Sequence, residues 1–280
     1  MQTLDDITLT AFGPEHLEGA VALSRQVKWP HRPEDWRMML QLSAGTVAVD
    51  HAGRVLGTVL MTPYGQDCAT INTVIVDEAL RGRGLARRLM AAAQSLAGTR
   101  PLRLIATADG LPLYRKLDFV ECGEIRQHQG AVVAVAAPEI VEYATAADFA
   151  AIRALDRAVF GADRRSLFDL LEANAQWAVI RRHGAIGGFA AIRPFGRGEV
   201  VGPVIAANVD DAEALITCFA AARTGAFLRV DTPDDSGLSG WLTEIGLVEV
   251  GGGVVMHKPT EIAGGSARAT IFALASQALG

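Results

Sequence analysis

The sequence predicts an α/β (α+β) protein built from two tandem copies of one domain. Three observations support this prediction. Strand-like runs alternate with helical patterns along the 280 residues, the order of these elements in the first half recurs in the second, and short stretches match between the halves. Half of the residues are hydrophobic and a fifth are charged, a balance typical of packed globular domains rather than of disordered chains.

The first half is predicted to begin with a strand and two helices, followed by a meander of strands. The predicted strands are 7–12, 46–50, 54–61, 70–76, 102–106 and 119–122, and the predicted helices are 14–26, 33–43, 82–97 and 111–117. The helix over 82–97 depends on Leu85, Leu89, Ala92 and Leu96, which recur at helical spacing.

The second half repeats this order. Its predicted strands are 139–144, 177–182, 185–192, 199–206 and 227–231, and its predicted helices are 147–159, 164–174, 211–223 and 240–245. Residues 53–57, 102–104 and 119–123 match residues 184–188, 228–230 and 247–251. This spacing of roughly 126–131 residues is typical of a duplicated domain. We therefore expect domains at 1–136 and 137–280, and a weakly helical tail at 266–280 that packs on the body.

Composition excludes several classes of protein. The net charge of −5 argues against a general nucleic-acid binder. We find no apolar run long enough for a transmembrane helix and no signal-peptide pattern in MQTLDDITLT, so we expect no membrane association and a cytoplasmic location. Cys68, Cys122 and Cys218 are far apart and the six histidines are scattered, so we expect neither a disulfide framework nor a metal site.

The segment from Val74 to Leu89 carries the clearest chemical signal. A strand leads into a Gly-rich helix start with four arginines, Arg81, Arg83, Arg87 and Arg88. Free N–H groups at a helix N-terminus bind anions, and Gly82 and Gly84 allow a diphosphate to approach the backbone. Arg83 and Arg87 lie four residues apart, where two like charges repel unless an anion lies between them.

This segment resembles the acyl-CoA-binding motif of the GNAT superfamily of N-acetyltransferases, [QR]-x-x-G-x-[GA], with Arg81, Gly84 and Ala86 at its fixed positions. A second family pattern, similar to x-L-Y-x-K-x-G-F, follows at residues 113–119 and departs from it only at Asp118, where glycine is usual. Asp tolerates the left-handed conformation expected there. The resemblance covers most of residues 1–135 and implies a mixed, mostly antiparallel central sheet flanked by helices in each copy.

The resemblance also implies a mechanism, in which an amine attacks the acetyl-CoA thioester directly in a ternary complex. Backbone N–H groups near Ile75 and Val76 would hold the pantetheine arm, and the helix start from Arg81 to Arg87, including Leu85 and Ala86, would hold the phosphates. Tyr114 lies at the position of the family's general acid. The general base is left open between Glu78, Asp109, Asp67 and a water chain. Asn72 and Thr73 either face the substrate or lie at a splayed strand edge.

The second copy lacks this machinery. Aligning 204–205 on 74–75 places Asp211 and Glu213 opposite Arg81 and Arg83, and Leu242 falls opposite Tyr114. Carboxylates at a helix start repel a diphosphate. The acidic run 231–235 is interpreted first as a turn with an N-cap for the next helix, and second as an amine-attracting wall of the substrate cleft. The second half therefore resembles a degenerate GNAT-like domain with a structural or substrate-cleft role.

The sequence leaves three functions open. The first is an N-acetyltransferase that uses acetyl-CoA as co-substrate, acts on a primary amine of a small molecule and needs no metal. The others are a non-catalytic acyl-CoA sensor and a protein N-acetyltransferase. The sequence does not identify the acceptor or the acyl chain length, and it does not decide whether the protein forms a homodimer.

Overall fold

The structure is a computed structural model that describes residues 6–259 and 269–280. Packing divides the chain into an N-terminal unit that ends at Leu104 and a C-terminal unit that begins at Ile105. The predicted domain boundary after residue 136 concerns the end of the first sequence copy, and it stays a prediction.

The N-terminal unit carries one sheet with helices packed against it. Its elements are β1 (Thr8–Ala11), α1 (Leu17–Gln26), α2 (Pro33–Leu42), β2 (Ala44–Val49), β3 (Val55–Tyr64), β4 (Cys68–Val76), α3 (Leu85–Ala97) and β5 (Leu102–Ala106), the last of which crosses the point of division. The strand order follows the sequence, β1-β2-β3-β4-β5. Neighbouring strands are antiparallel except β4 and β5, which are parallel.

Helix α3 packs on this sheet through residues spaced four apart. Leu85, Leu89, Ala93 and Ala97 are buried, whereas Leu96 is 42% exposed. The prediction that Leu96 belongs to the apolar face was therefore wrong. With 3.6 residues per turn, the next residue on the buried face after Ala93 is Ala97. A Cβ added to Gly57 on β3 would lie 2.9 Å from Leu89 Cδ1, so the absence of a side chain there lets the helix approach the sheet.

The C-terminal unit is also a mixed, mostly antiparallel sheet with helices, which confirms the predicted fold class. Its elements are α4 (Leu111–Arg115), β6 (Val120–Ala131), β7 (Val141–Tyr143), α5 (Phe149–Phe160), α6 (Arg165–Asn174), β8 (Gln176–Arg182), β9 (Ala185–Phe195), β10 (Gly198–Ala206), α7 (Val209–Ala221), β11 (Phe227–Pro233), α8 (Ser239–Glu244), β12 (Val248–Lys258) and β13 (Thr270–Ala273). The strand order is β12-β6-β11-β10-β9-β8-β7, and β13 also pairs with β10. Among the described strands of this unit, β10 and β11 are parallel to each other and the other neighbouring pairs are antiparallel.

Strands β6 and β12 come from matching segments of the two sequence copies and pair with each other. The prediction of a strand at 119–122 was too short, because β6 continues to Ala131. Ile125 lies opposite Gly253, and these two residues are 128 apart, the same spacing as between Phe119 and Leu247 in the matching sequence segments. Strands β6 and β12 are therefore equivalent elements of the two copies, and they pair around two equivalent residues, Ile125 and Gly253.

The tail differs from its predicted conformation. Thr270–Ala273 form strand β13 rather than a helix, because backbone pairing with β10 outweighs a weak helical pattern. Its packing on the body is confirmed, since Phe272, Leu274 and Leu279 are buried. Residues 266–268 of the predicted helix lie outside the described residues.

Candidate functional site

The loop between β4 and α3 (residues 77–84) has a defined conformation. Asp77 Oδ1 accepts a hydrogen bond from the Ala79 N–H at 3.0 Å and caps a 3-10 turn, Glu78–Leu80. The Gln26 side chain donates to Asp77 Oδ2 at 3.3 Å and accepts from the Glu78 N–H at 3.4 Å. Sequence reasoning missed these two supporting residues. The capping pattern at Asp77 could have revealed one of them, whereas Gln26 lies about fifty residues away and carried no signal.

The glycines of this loop adopt left-handed conformations, with φ of +74° at Gly82 and +92° at Gly84. A Cβ added to either residue would meet no heavy atom within 4 Å, so the backbone faces open space at both positions. Both glycines lie before the helix rather than inside it, because α3 begins at Leu85 with Gly84 as its N-cap. The predicted helix start at residue 82 is corrected accordingly.

The first turn of α3 is unusually suited to an anion. Gly84 provides no side-chain cap, and the turn contains no acidic residue. The N–H groups at the helix start therefore lack the usual oxygen acceptors, and the helix dipole adds positive potential. Arg87 is exposed at this end, although basic residues are normally favoured at the opposite end of a helix. This combination of a cation and uncapped N–H groups favours a bound anion.

The four arginines of the segment do not act alike. Arg88 is half-buried, and its Nη2 donates to the Ile7 carbonyl at 3.3 Å. It therefore links α3 to the residue just before β1. Arg81, Arg83 and Arg87 are exposed. Within the described residues, the side chains of Arg81 and Arg87 form no ion pair. Arg81 and Arg87 are therefore available to a phosphate, and Arg83 lies between them in the sequence.

Strand β4 leads directly into this loop and has an open edge. Its ladder with β5 consists of Ala69 opposite Leu102 and Thr70 opposite Arg103. Beyond these pairs, β4 has no further strand partner on this edge within the described part of the N-terminal unit. The predicted residues Ile75, which is buried, and Val76 lie in this stretch. Backbone groups there are available to an extended ligand.

A buried polar chain lies beside that edge. Thr73 has φ of +48° at an irregularity in the pairing of β3 with β4, and its carbonyl accepts from Thr58 Oγ1 at 2.7 Å. Asn72 Nδ2 donates to Thr62 Oγ1 at 3.0 Å. Asn72 and Thr73 are 6% and 5% exposed, so both are buried and hydrogen-bonded inside the unit.

The carboxylates considered as the general base are all exposed. Glu78 lies in the 3-10 turn next to the loop. Asp67 lies in the turn between β3 and β4, at the opposite end of β4 from the loop. Asp109 belongs to the C-terminal unit, just before α4. The structure does not bring Asp67 and the loop together.

Tyr114 lies on α4 in the C-terminal unit and is 8% exposed. Its ring contacts Phe119 edge-on, with ring centroids 6.0 Å apart. A Cβ on Gly110 would lie 2.7 Å from the ring, so this glycine makes room for it. Burial raises the pKa of the Tyr114 phenol to about 12, because desolvation disfavours the phenolate. The hydroxyl is protonated at neutral pH, and the raised pKa makes it a weaker acid than an exposed phenol.

In the second copy, the helix begins almost directly after the strand, and the long loop of the first copy has no counterpart. Only residues 207–208 separate β10 from α7, whereas residues 77–84 separate β4 from α3. Asn208 caps α7 by accepting from the Asp211 N–H at 2.9 Å, and the buried Asp211 pairs with Arg182. The helix start that could bind an anion is therefore already satisfied by side chains.

The acidic run 231–235 begins inside β11, and its first carboxylate is not available to an amine. Asp231 is fully buried, pairs with Arg229 at 2.9 Å and accepts from Gln277 at 3.0 Å. Asp234 and Asp235 are exposed in a turn, as the first interpretation expected. However, neither caps α8, whose N-cap is Leu238 with no side-chain hydrogen bond. Ser236 Oγ instead accepts from the Leu238 N–H at 3.2 Å.

Across residues 6–259 and 269–280, no three His, Cys, Asp or Glu side chains group closely enough to hold a metal ion. No helix in this part of the chain combines the length and the apolar character needed to cross a membrane.

Comparisons with known proteins agree for both halves. Two family models, each described as an acetyltransferase (GNAT) domain, match residues 43–121 and 152–272. The chain is similar to the uncharacterized N-acetyltransferase YitH of Bacillus subtilis strain 168, at 28% identity over 276 residues, which span 95% of this chain and 96% of YitH.

Solved structures show the same fold. A structure from Pyrococcus horikoshii that is named as an acetyltransferase matches with a TM-score of 0.82 at 17% identity. The match covers 100% of this chain and 98% of that one. A GCN5-related N-acetyltransferase from Sphaerobacter thermophilus has a TM-score of 0.63 at 14% identity, with 92% and 96% covered. A tandem GNAT protein from the clavulanic acid biosynthesis pathway has a TM-score of 0.61 at 13% identity, with 91% and 100% covered.

Proposed function

The chain belongs to the GNAT superfamily of acetyltransferases and carries two GNAT domains in tandem, and from this premise we propose that it moves an acetyl group from acetyl-CoA to a primary amine of a small molecule. The enzyme class follows from the family. The acceptor, the mechanism and the residues that carry them are the proposal.

The start of α3 carries this proposal. Two left-handed glycines face open space, the first turn has no cap and no carboxylate, and three exposed arginines surround it. We assign the CoA diphosphate to the N–H groups of Leu85, Ala86 and Arg87, with Arg81 and Arg83 beside them and Gly82 and Gly84 leaving room for the phosphates. Charge-assisted hydrogen bonds from arginine to phosphate are strong and directional.

The open edge of β4 is assigned to the pantetheine arm. The arm is an extended chain with two amides, so it can pair with the backbone as an added strand would. In this assignment, backbone N–H groups near Ile75 and Val76 hold the arm and polarise the thioester carbonyl. Donors fixed before the reaction stabilise the oxyanion without reorganisation.

The proposed reaction is direct aminolysis of the thioester. The amine nitrogen attacks the carbonyl carbon, the tetrahedral intermediate collapses and the C–S bond breaks. The CoA thiolate then takes a proton from the neutral phenol of Tyr114, and the attacking nitrogen loses its proton to a base. Glu78, Asp109 and a water chain stay candidates for that base, whereas Asp67 lies at the far end of β4 from Ile75 and Val76. Acetyl-CoA and an amine thus yield an amide and CoA, and no metal takes part.

Free CoA release tests the proposal. The full chain is incubated with acetyl-CoA and separately with diamines, aminosugars, aminoglycosides, amino acids and a lysine peptide, while a thiol reagent records CoA. We expect release with at least one small amine, and a product that is heavier by one acetyl group. Release with the lysine peptide alone would favour a protein acceptor. Acetyl-CoA that neither binds nor turns over would contradict the assignment of the α3 site. A cytoplasmic location remains an expectation from the sequence.

A further inference from the structure

The strand pairs next to the two helix starts have the same register in both copies. Thr58 lies opposite Ile75 in the N-terminal unit, and Phe189 lies opposite Ile205 in the C-terminal unit. Both pairings are interrupted just before these residues, between Asn72 and Ile75 on β4 and between Val201 and Val204 on β10. Residues 202–206 of β10 are therefore equivalent to the open edge of β4.

The parallel ladders also end within one residue of each other in the two copies. In the first copy the pairs are Ala69 with Leu102 and Thr70 with Arg103. In the second copy they are Glu199 with Leu228, Val200 with Arg229 and Val201 with Val230. Beyond Val201, β10 has parted from β11, just as β4 has parted from β5 beyond Thr70. This leaves one edge of β10 open to another strand.

The tail of the chain occupies that edge. Strand β13 pairs with β10 through Ile271 opposite Ile205 and Thr270 opposite Ala206. It is also tied to β11, because Thr232 Oγ1 donates to the Phe272 carbonyl at 2.7 Å and the Leu274 N–H donates to the Asp231 carbonyl at 2.9 Å. The tail thus lies between the two parted strands.

The fit of the tail is close. A Cβ added to Gly202 would lie 1.8 Å from the Leu274 carbonyl oxygen, so only glycine lets the tail backbone pass β10. At the start of α7, the cap at Asn208 and the ion pair of Asp211 with Arg182 occupy the position that we assign to the diphosphate in the first copy. Both parts of the site are filled by atoms of the chain itself.

We propose that the second copy retains the slot for an acyl-CoA arm and that its ligand is the chain's own strand β13. The inference depends on the proposed function, because that function identifies the open edge of β4 as the pantetheine site. An extended backbone offers the slot the same alternating N–H and C=O groups that pantetheine amides would offer. The tail therefore acts as a permanent internal ligand, and the chain binds one acetyl-CoA rather than two.

Hydrogen–deuterium exchange of the full wild-type chain provides the first test. Without ligand, we expect slow exchange in residues 202–206 and faster exchange in part of residues 71–76. Acetyl-CoA should slow exchange by about tenfold in residues 71–76, the factor expected for one or two net hydrogen bonds. It should leave residues 202–206 and 270–274 unchanged. Displacement of the tail by acetyl-CoA would overturn the assignment.

The second test releases the tail. Gly202→Ala should push the tail away and raise exchange in residues 202–206 and 270–274 together. The control is Gly225→Ala, a left-handed glycine of the same unit with no atom within 4 Å of an added Cβ, which strains the backbone without touching the tail. An alanine Cβ at position 202 would also clash with a ligand in the slot. Pantetheine, which lacks the diphosphate that Asp210 and Asp211 would repel, is therefore added to the milder variant Thr232→Val, in which we expect it to restore slow exchange in residues 202–206.

A milder variant covers the case in which Gly202→Ala does not fold. Thr232→Val removes the hydroxyl that holds the Phe272 carbonyl, and it should raise exchange at the tail and at residues 202–206 in parallel. The inference would be overturned if the tail exchanges fast while residues 202–206 still exchange slowly. It would also be overturned if pantetheine never slows exchange in residues 202–206 after the tail is released. If acetyl-CoA fails to protect residues 71–76 of the wild type, the proposed pantetheine site is wrong instead, so the two failures are distinguishable.

Discussion

Asp118 and Gly246 hold the same left-handed turn at equivalent positions of the two copies, with φ of +63° and +94°. Each follows a short helix, α4 or α8. The next residue closes the turn in both cases, because the Phe119 N–H donates to the Tyr114 carbonyl at 3.1 Å and the Leu247 N–H donates to the Leu242 carbonyl at 2.8 Å. The departure from the family pattern at Asp118 therefore changes the residue and keeps the conformation.

This pair predicts substitutions of opposite effect. Asp118→Gly should raise the free energy of unfolding by about 0.5–1 kcal/mol, since a Cβ is unfavourable in the left-handed region. Gly246→Ala should lower it by about 1–3 kcal/mol, because the new Cβ would lie 2.5 Å from the Ala131 carbonyl oxygen as well as adopting the strained φ. Urea unfolding of the two variants measures both signs. A destabilising Asp118→Gly would show that the carboxylate makes a contact that outweighs the backbone strain.

Acetyl-CoA binding should depend on the loop before α3. At a ligand concentration 100-fold above Kd, acetyl-CoA should stabilise the wild type by about 2.7 kcal/mol. Arg81→Glu and Gly84→Val should abolish this gain in a thermal-shift assay, because one reverses a charge and the other fills the space above the backbone.

The matched controls for this prediction are Gly98→Val and Arg37→Glu. Gly98 ends the same helix, has φ of +66° and faces open space, so its valine strains α3 far from the loop. Arg37 is exposed on α2 and pairs only at the surface with Glu34. Both controls should retain the ligand-induced shift, and loop variants that also retain it would refute the phosphate assignment.

Tyr114→Phe should separate chemistry from binding. Loss of the phenol should lower kcat by about 10²–10⁴ if it protonates the thiolate, while the affinity for acetyl-CoA stays close to that of the wild type. Steady-state kinetics with any accepted amine, together with calorimetric titration of acetyl-CoA, measures the two effects. Tyr143→Phe is the control, since Tyr143 is half exposed on β7. Equal kcat values for the wild type and Tyr114→Phe would show that the ring only packs.

Alkaline stability should report the buried phenol. The pKa of Tyr114 is about 12 in the folded chain and about 10 in an unfolded one. Between these values the unfolded state loses the proton first. The contribution to stability is therefore complete below pH 10 and is lost as pH rises through 12. At pH 11 the loss should be about 1.4 kcal/mol. Urea unfolding measures the free energy of unfolding at pH 9 and pH 11. Its decrease between these pH values should be smaller by this amount in Tyr114→Phe than in the wild type, and an equal decrease would contradict the raised pKa.

The ion pair between Arg164 and Asp156 should be critical for the C-terminal unit. Arg164 Nε donates to Asp156 Oδ2 at 3.0 Å, and both side chains are almost fully buried. Arg164 also donates to the Gly280 carbonyl at 2.7 Å. Arg164→Met should cost about 3–5 kcal/mol, because it leaves a buried carboxylate without its partner. Arg37→Met, at the exposed pair with Glu34, should cost less than about 1 kcal/mol. Similar losses from both variants would contradict this ranking.

Features encoded over a few residues could be predicted from the sequence. The helix stripes and the hairpins depend on local spacing, which periodicity reveals. The hypothesis of a phosphate loop at Arg81 to Arg87 also depends on residues that are close in sequence, and it stays a prediction. The repeat could be recognised because matching stretches kept a nearly constant separation. Local propensity was misleading where a distant partner decided the outcome, as for the full length of β6 and for the tail.

The sequence by itself determined that two copies of one domain follow each other, and it predicted an anion-binding helix start in the first copy alone. Only the tertiary structure decided that Asp231 is buried against Arg229, that β6 pairs with both β11 and β12, and that β13 fills the edge of β10. Val204 and Ala273 pair although 69 residues separate them along the chain. No local pattern specifies such a partner, because a strand edge accepts any extended backbone, and the choice is made by which edge the folded sheet leaves open.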